Sequence, residues 1–118
     1  MPQITVDYSA RLAEDFDRPG FARALHAATA EIAAARLPAC NTQFRRTEDT
    51  VVGADDEGHA IVHVLIGLLA GRTPEAKARL AETALELLRQ HLKPTGGLAL
   101  HASAEVRDLD PSYRKFDA

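Results

Sequence analysis

The chain has 118 residues, 46% of them hydrophobic and 26% charged, with a formal net charge of −3 at pH 7. That size suits one domain with a real core, the balance of apolar and charged residues excludes a disordered tail-like chain, and the slight acidity with scattered basic residues leaves no electrostatic footprint for nucleic acid. A single cysteine, Cys40, excludes an internal disulfide and reads as a small half-buried residue of a reducing compartment, with no dedicated base nearby to make it a nucleophile.

The first predicted element starts at the chain's beginning. Ile4, Val6 and Tyr8 alternate with Gln3, Thr5 and Asp7, the period-two pattern of a half-buried strand. Pro2 precedes it, where a missing N–H breaks no ladder bond. A small second residue permits removal of the initiator Met1, which would leave Pro2 with a free, rigid secondary amine. An α-amino group has an ordinary pKa of about 7.7–8.0, and an apolar pocket lowers it by disfavouring the cation. Such a nitrogen is a candidate general base near neutral pH. No apolar segment resembling a secretion signal precedes Asp7, and the longest apolar run, Ala60 to Ala70, contains His63 and is too short to span a bilayer. A cytoplasmic address is expected.

Ser9 to Asp17 reads as a polar connecting loop interrupted by Leu12 and Phe16. A helix follows, with Asp17 as its N-cap, Pro19 in its first turn, and Phe21, Ala24, Leu25, Ala28, Ile32 and Ala35 on one stripe; Pro38 is expected to stop it. Asn41 to Val52 reads as an extended segment with Phe44, Val51 and Val52 apolar, and Gly53 to Gly58 as a solvated turn. Ala60 to Ile66 is the strongest strand, apolar on both faces except for His63. Thr73 as N-cap and Pro74 at the first helical position open a second helix with an apolar stripe of Leu80, Ala84, Leu87, Leu88 and Leu92, ended by Lys93-Pro94 and Gly96-Gly97. Leu98, Leu100, Ala102, Ala104 and Val106 alternate with His101, Ser103 and Glu105, a last strand before a short polar tail.

Strand–helix–strand twice, over about 2–52 and about 59–107, predicts an α/β (α+β) fold made of a duplicated βαβ unit, one domain across 1–118. Two helices cover one face of a four-stranded sheet. With the strongest strand apolar on both sides, the other face should need a partner, which predicts an oligomer with sheets facing inward.

Three features accompany Pro2. Arg72 stands at the strand-to-helix junction, where a guanidinium and helix N-terminal N–H groups together favour an anion. Arg45 and Arg46 follow the turn-prone Asn41-Thr42 and offer further cations, or else ordinary outward charges of a strand. His59 and His63 lie four apart on one strand face, but no acidic or cysteine third ligand stands at a convincing spacing, so no metal is expected. His63 reads instead as a hydrogen-bonded core or interface histidine.

Met1-Pro2 before an alternating strand, the repeated βαβ plan, Val62-His63-Val64 running into Gly71-Arg72, the Leu-rich helix after it, Pro19-Gly20 and the Leu109-Asp110-Pro111-Ser112 tail together resemble the tautomerase superfamily. Within it the chain is similar to the 5-carboxymethyl-2-hydroxymuconate isomerases, along essentially its whole length. That resemblance implies a homotrimer, an amino-terminal proline as acid/base catalyst, arginines that hold substrate carboxylates, and no cofactor. Matched by position, Pro2 takes the base role and Arg72 one carboxylate-binding role. The family's other substrate-binding arginine falls at or near Gln43, with Arg45 matching an arginine two residues on; Arg45 or Arg46 would serve if the loop shifts. Gln offers a neutral hydrogen bond in place of a bidentate ion pair.

The expected function is therefore a tautomerase-type isomerase interconverting a 2-hydroxy-dienoate and a 2-oxo-enoate in aromatic-compound degradation. Its partners would be a small unsaturated oxo or hydroxy carboxylic acid and its own copies, with neither nucleic acid nor membrane. The alternative is a non-catalytic or diverged trimeric binding protein of the same fold.

Overall fold

A computed structural model describes all residues, 1–118. Four strands and two helices follow one another as β1 (Gln3–Ser9), α1 (Arg18–Ile32), β2 (Asn41–Thr47), β3 (His59–Leu68), α2 (Pro74–His91) and β4 (Ala99–Asp108). The sheet runs in the order β2-β1-β3-β4. β1 and β2 are parallel, as are β3 and β4, each pair joined by a crossover helix, and the two βαβ units meet where β1 and β3 pair antiparallel.

Both helices begin as the sequence predicts. The Asp17 carboxylate accepts from Gly20 N at 3.1 Å and the Thr73 hydroxyl from Ala76 N at 3.1 Å, each satisfying an N–H that has no partner within its own helix. α1, however, ends at Ile32, well before Pro38, so Ala35 lies beyond the helix. Its buried stripe is Phe21, Leu25 and Thr29. Thr29 joins the core because its hydroxyl donates to Leu25 O at 2.7 Å, leaving no polar atom unpaired. β2 stops at Thr47, short of the expected Val52. The Ser9–Asp17 loop is more ordered than its polarity suggests: a single 3-10 turn, Ala10–Leu12, buries Leu12 fully.

The core lies between the helices and one sheet face. Ile4, Val6 and Tyr8 of β1 and Ala60, Val62, Val64, Ile66 and Leu68 of β3 point into it, against Phe21 and Leu25 of α1 and Leu80, Ala84 and Leu88 of α2. A fully buried Leu contributes roughly 1.5–3 kcal/mol by leaving water. The units are stitched together where Asp17 N donates to His91 O at 2.9 Å and Lys93 N to Asp15 O at 3.2 Å, around the Phe16, Phe21 and His91 rings, which meet at tilted and edge-on angles.

The uncovered sheet face differs from its expected apolar character. Asp7 stands beside His63 in the ladder, Gln43 beside Thr5, and Ser103 beside His63. His63 Nδ1 and Ser103 Oγ are hydrogen-bonded at 2.6 Å, and His59 Nδ1 and His101 Nε2 at 2.9 Å. Only Ile61 and Leu65 bring apolar bulk from β3 to this side, and the residues paired with them, His101 beside Ile61 and Thr5 and Glu105 beside Leu65, are polar. No helix is long and apolar enough to cross a membrane.

Candidate active site

The pocket at the beginning of the chain is built by three segments far apart in sequence. Pro2, buried, forms its floor, held from below as its carbonyl accepts from Asn41 N at 3.2 Å. The loop after α1 brings Ala34, Ala35, Arg36 and Ala39; the β3–α2 junction brings Arg72. The cavity measures about 180 Å³, and two arginines but no acidic residue line it. At about 30 Å³ per water it holds roughly six waters' worth of substrate.

Arg72 is aimed by backbone. Gly71 adopts φ +122°, a conformation L side chains rarely take, which turns the chain sharply between the end of β3 and the Thr73 cap. Arg72 Nε then donates to Ala33 O at 2.9 Å and Nη1 to Leu69 O at 3.0 Å. The first of these carbonyls sits at the α1 C-cap, where helix acceptors run out of partners. Two of five guanidinium donors are thereby used, and the remainder stay available to a ligand. The sequence pointed to Arg72 as an anion-binding group beside a helix N-terminus; its anchoring across the molecule to the end of α1 is visible only in the fold.

The amino group at Met1 lies in the same electropositive setting. Its pKa is lowered from the ordinary value of 8.0, first by burial and then by Arg72 and by Lys115 of the tail, with Cys40 opposing. The tail reaches this end because Leu109 packs over Gly67, where a Cβ would come within 2.7 Å of its side chain, and because Gln3 Nε2 donates to Tyr113 Oη at 3.2 Å. A larger residue at position 67 would make the end of the Leu109 side chain shift.

Pro2 and Arg72, both expected from the sequence, fall together. Gln43 and Arg45 do not join them within one protomer. They pair in the ladder with Thr5 and Asp7, two and four residues beyond Gln3, or about 7 and 13 Å along the strand at about 3.3 Å per residue. Arg45 is held by Asp7 in a bidentate pair, Nε to Oδ1 at 2.6 Å and Nη2 to Oδ2 at 3.0 Å. Arg46 points to the opposite sheet face and pairs with Glu48 at 3.0 Å. Cys40 is buried, and burial pushes its thiol pKa up, away from a nucleophile's thiolate. No three His, Cys, Asp or Glu side chains converge in a metal-binding arrangement. Arg36 was missed by sequence reasoning; the only hint was its place just after a helix end, which marks many solvated arginines.

Set beside known proteins, the chain matches the model of the 5-carboxymethyl-2-hydroxymuconate isomerase family over residues 2–116. The chain belongs to this family. The family's fold is shared by a 5-carboxymethyl-2-hydroxymuconate isomerase from Deinococcus radiodurans R1, at TM-score 0.77 and 19% identity over 98% of this chain and 90% of that one. A fused 4-OT wild type symmetric trimer is similar at TM-score 0.75 and 18% identity over 98% and 93% of the two chains. An FG41 malonate semialdehyde decarboxylase, inhibited by 3-bromopropiolate, is similar at TM-score 0.68 and 23% identity over 98% and 89%. These identities carry the fold alone. No curated protein matches the chain significantly. Membership supports an isomerase of the tautomerase type and leaves substrate and residue roles to the site itself.

Proposed function

We propose that this isomerase converts a 2-hydroxy-dienoate to its 2-oxo-enoate with Pro2 as the general base. The observation that carries the reading is the juxtaposition of buried Pro2 with Arg72 in a cavity lined by two arginines and no acidic residue. Removal of Met1 frees the Pro2 amine. Lying beside Arg72 in the same pocket, that amine should meet the burial and the charge that lower the Met1 amine's pKa, both of which favour the neutral form. The neutral nitrogen takes the proton of the 2-hydroxyl, whose O–H electron pair becomes the C=O π bond. The diene electrons shift along the chain, and the prolinium returns the proton to the distal carbon. Substrate and product are isomers, so no oxidant, reductant or cofactor enters the balance. Arg72 holds the C1 carboxylate and stabilises charge developing on the adjacent oxygen.

The assembly consistent with this reading is a homotrimer, supported by the symmetric trimers among proteins of the same fold. In it the polar sheet faces would turn inward, and Gln43 and Arg45 would reach substrate only from an adjacent protomer. Light scattering should report three chains; a stable monomer at micromolar concentration would remove the trimer and any role for β2 in the site.

The alternative, a trimeric binding protein that has lost catalysis, draws support from Gln43, which supplies no charge where the family places a second arginine. Intact mass combined with turnover of 2-hydroxyhexa-2,4-dienedioate separates the two. Protein shown to begin at Pro2 should isomerise it. Protein beginning at Pro2 that binds the acid without converting it would establish the binding reading instead.

A further inference from the structure

Arg36 has no assigned task, and its surroundings are those of a ligand-binding group. It lines the cavity that holds Pro2 and Arg72. Its backbone is fixed on both sides: Ala34 before it takes φ +52°, an uncommon conformation for a residue with a side chain, and its own carbonyl accepts from Ala39 N at 3.0 Å and from Cys40 Sγ at 3.6 Å. Pro38 stiffens the turn that follows. Yet its guanidinium forms neither a hydrogen bond nor an ion pair with the rest of the protomer. Arg45, Arg46, Arg89 and Arg107 all have carboxylate partners. A rigid turn that places an arginine with an uncommitted guanidinium on the lining of a cavity already holding an anchored one suits a ligand with negative charge at two points.

We propose that Arg36 is the specificity-determining cation of this site, binding the substrate's distal carboxylate while Arg72 holds the carboxylate next to the reacting oxygen. It supplies, from the loop after α1 of the same protomer, the second charge that Gln43 lacks. The inference rests on the reading of Pro2 and Arg72 given above. Because Arg36 is exposed, its contact with substrate is screened by salt.

The test compares 2-hydroxyhexa-2,4-dienedioate with 2-hydroxypenta-2,4-dienoate, which share the reacting end and differ in the distal carboxylate. Wild type should prefer the dicarboxylate. Arg36→Ala should lower kcat/KM for it about tenfold, mainly through KM, and leave the monocarboxylate within about twofold; Arg36→Lys should restore part of the loss. Raising ionic strength should raise the wild-type KM for the dicarboxylate and hardly move that of the variant. Equal losses on both substrates, or none on the dicarboxylate, overturn the proposal. Calorimetric binding of hexanedioate against hexanoate separates this failure from failure of the catalytic reading, since it needs no turnover. Discrimination between the two in wild type that disappears in Arg36→Ala supports Arg36 even in an inactive protein; the same discrimination in both proteins overturns it.

Discussion

Arg72 and Arg45 have the same side chain near opposite ends of β1, and the fold treats them differently. Arg45 on the open sheet face is saturated by Asp7 in a two-bond pair, with most of its side chain in solvent at 66% exposure. Arg72 is half-buried and held by two backbone carbonyls, which fix its orientation without cancelling its charge. A carboxylate partner offsets an arginine's field, whereas a carbonyl dipole positions it and leaves a cation for an incoming anion. The pocket beside Pro2 is electropositive for this reason, and the sheet face, with as many cationic residues in sequence, is not.

The largest expected effect follows from blocking the nitrogen this pocket surrounds. Protein in which Met1 is retained, or the Pro2 amine is acylated, should lose turnover entirely while its melting temperature stays unchanged; full activity from such protein, its mass verified, would falsify the proline-base mechanism. Next is Arg72→Ala. Losing a charge-assisted bond to an ionised group costs about 1.5–3 kcal/mol, so kcat/KM should fall roughly 10–100-fold at about 1.4 kcal/mol per decade. The same variant frees the carbonyls of Ala33 and Leu69, so denaturant midpoints should fall as well, and Arg72→Lys would separate the two roles by restoring charge without the planar fork.

The pH profile sharpens the comparison. Burial and Arg72 lower the pKa of the Met1 amine, and the Pro2 amine exposed by loss of Met1 is expected to meet the same two influences, so the ascending limb of kcat/KM should lie below 8.0. Taking away Arg72 removes one lowering influence, so the limb in Arg72→Ala should move to higher pH. A limb that stays in place would separate Arg72 from the titrating group. The smallest effect is expected from Arg45→Ala, whose charge is already committed to Asp7: kcat/KM should change by no more than a few-fold. A loss rivalling that of Arg72→Ala would bring β2 of an adjacent protomer into the site.

Local chemistry determined much of this protein from sequence alone. Period-two alternation marked β1 and β4, a continuous apolar run marked β3, Asp17 and Thr73 capped the two helices, and Pro2 and Arg72 were identifiable because each combines a special residue type with a position at an element's end. Such signals lie within a few residues of one another, so the linear chain contains them. What the tertiary structure alone decided depends on neighbours across the ladder or across a crossover. β3 alternates apolar residues on both faces, but a sheet face is two-dimensional, and Asp7, Thr5 and Ser103 on adjoining strands made the open side polar. Thr29 entered the core because Leu25 O lies one turn behind it. Arg36, Arg72 and Pro2, separated by tens of residues, became one pocket only when α1 and the β3–α2 turn were brought against the beginning of β1. Whether an arginine is free or neutralised depends on which carboxylate its long stem can reach, and periodicity holds no record of that distance.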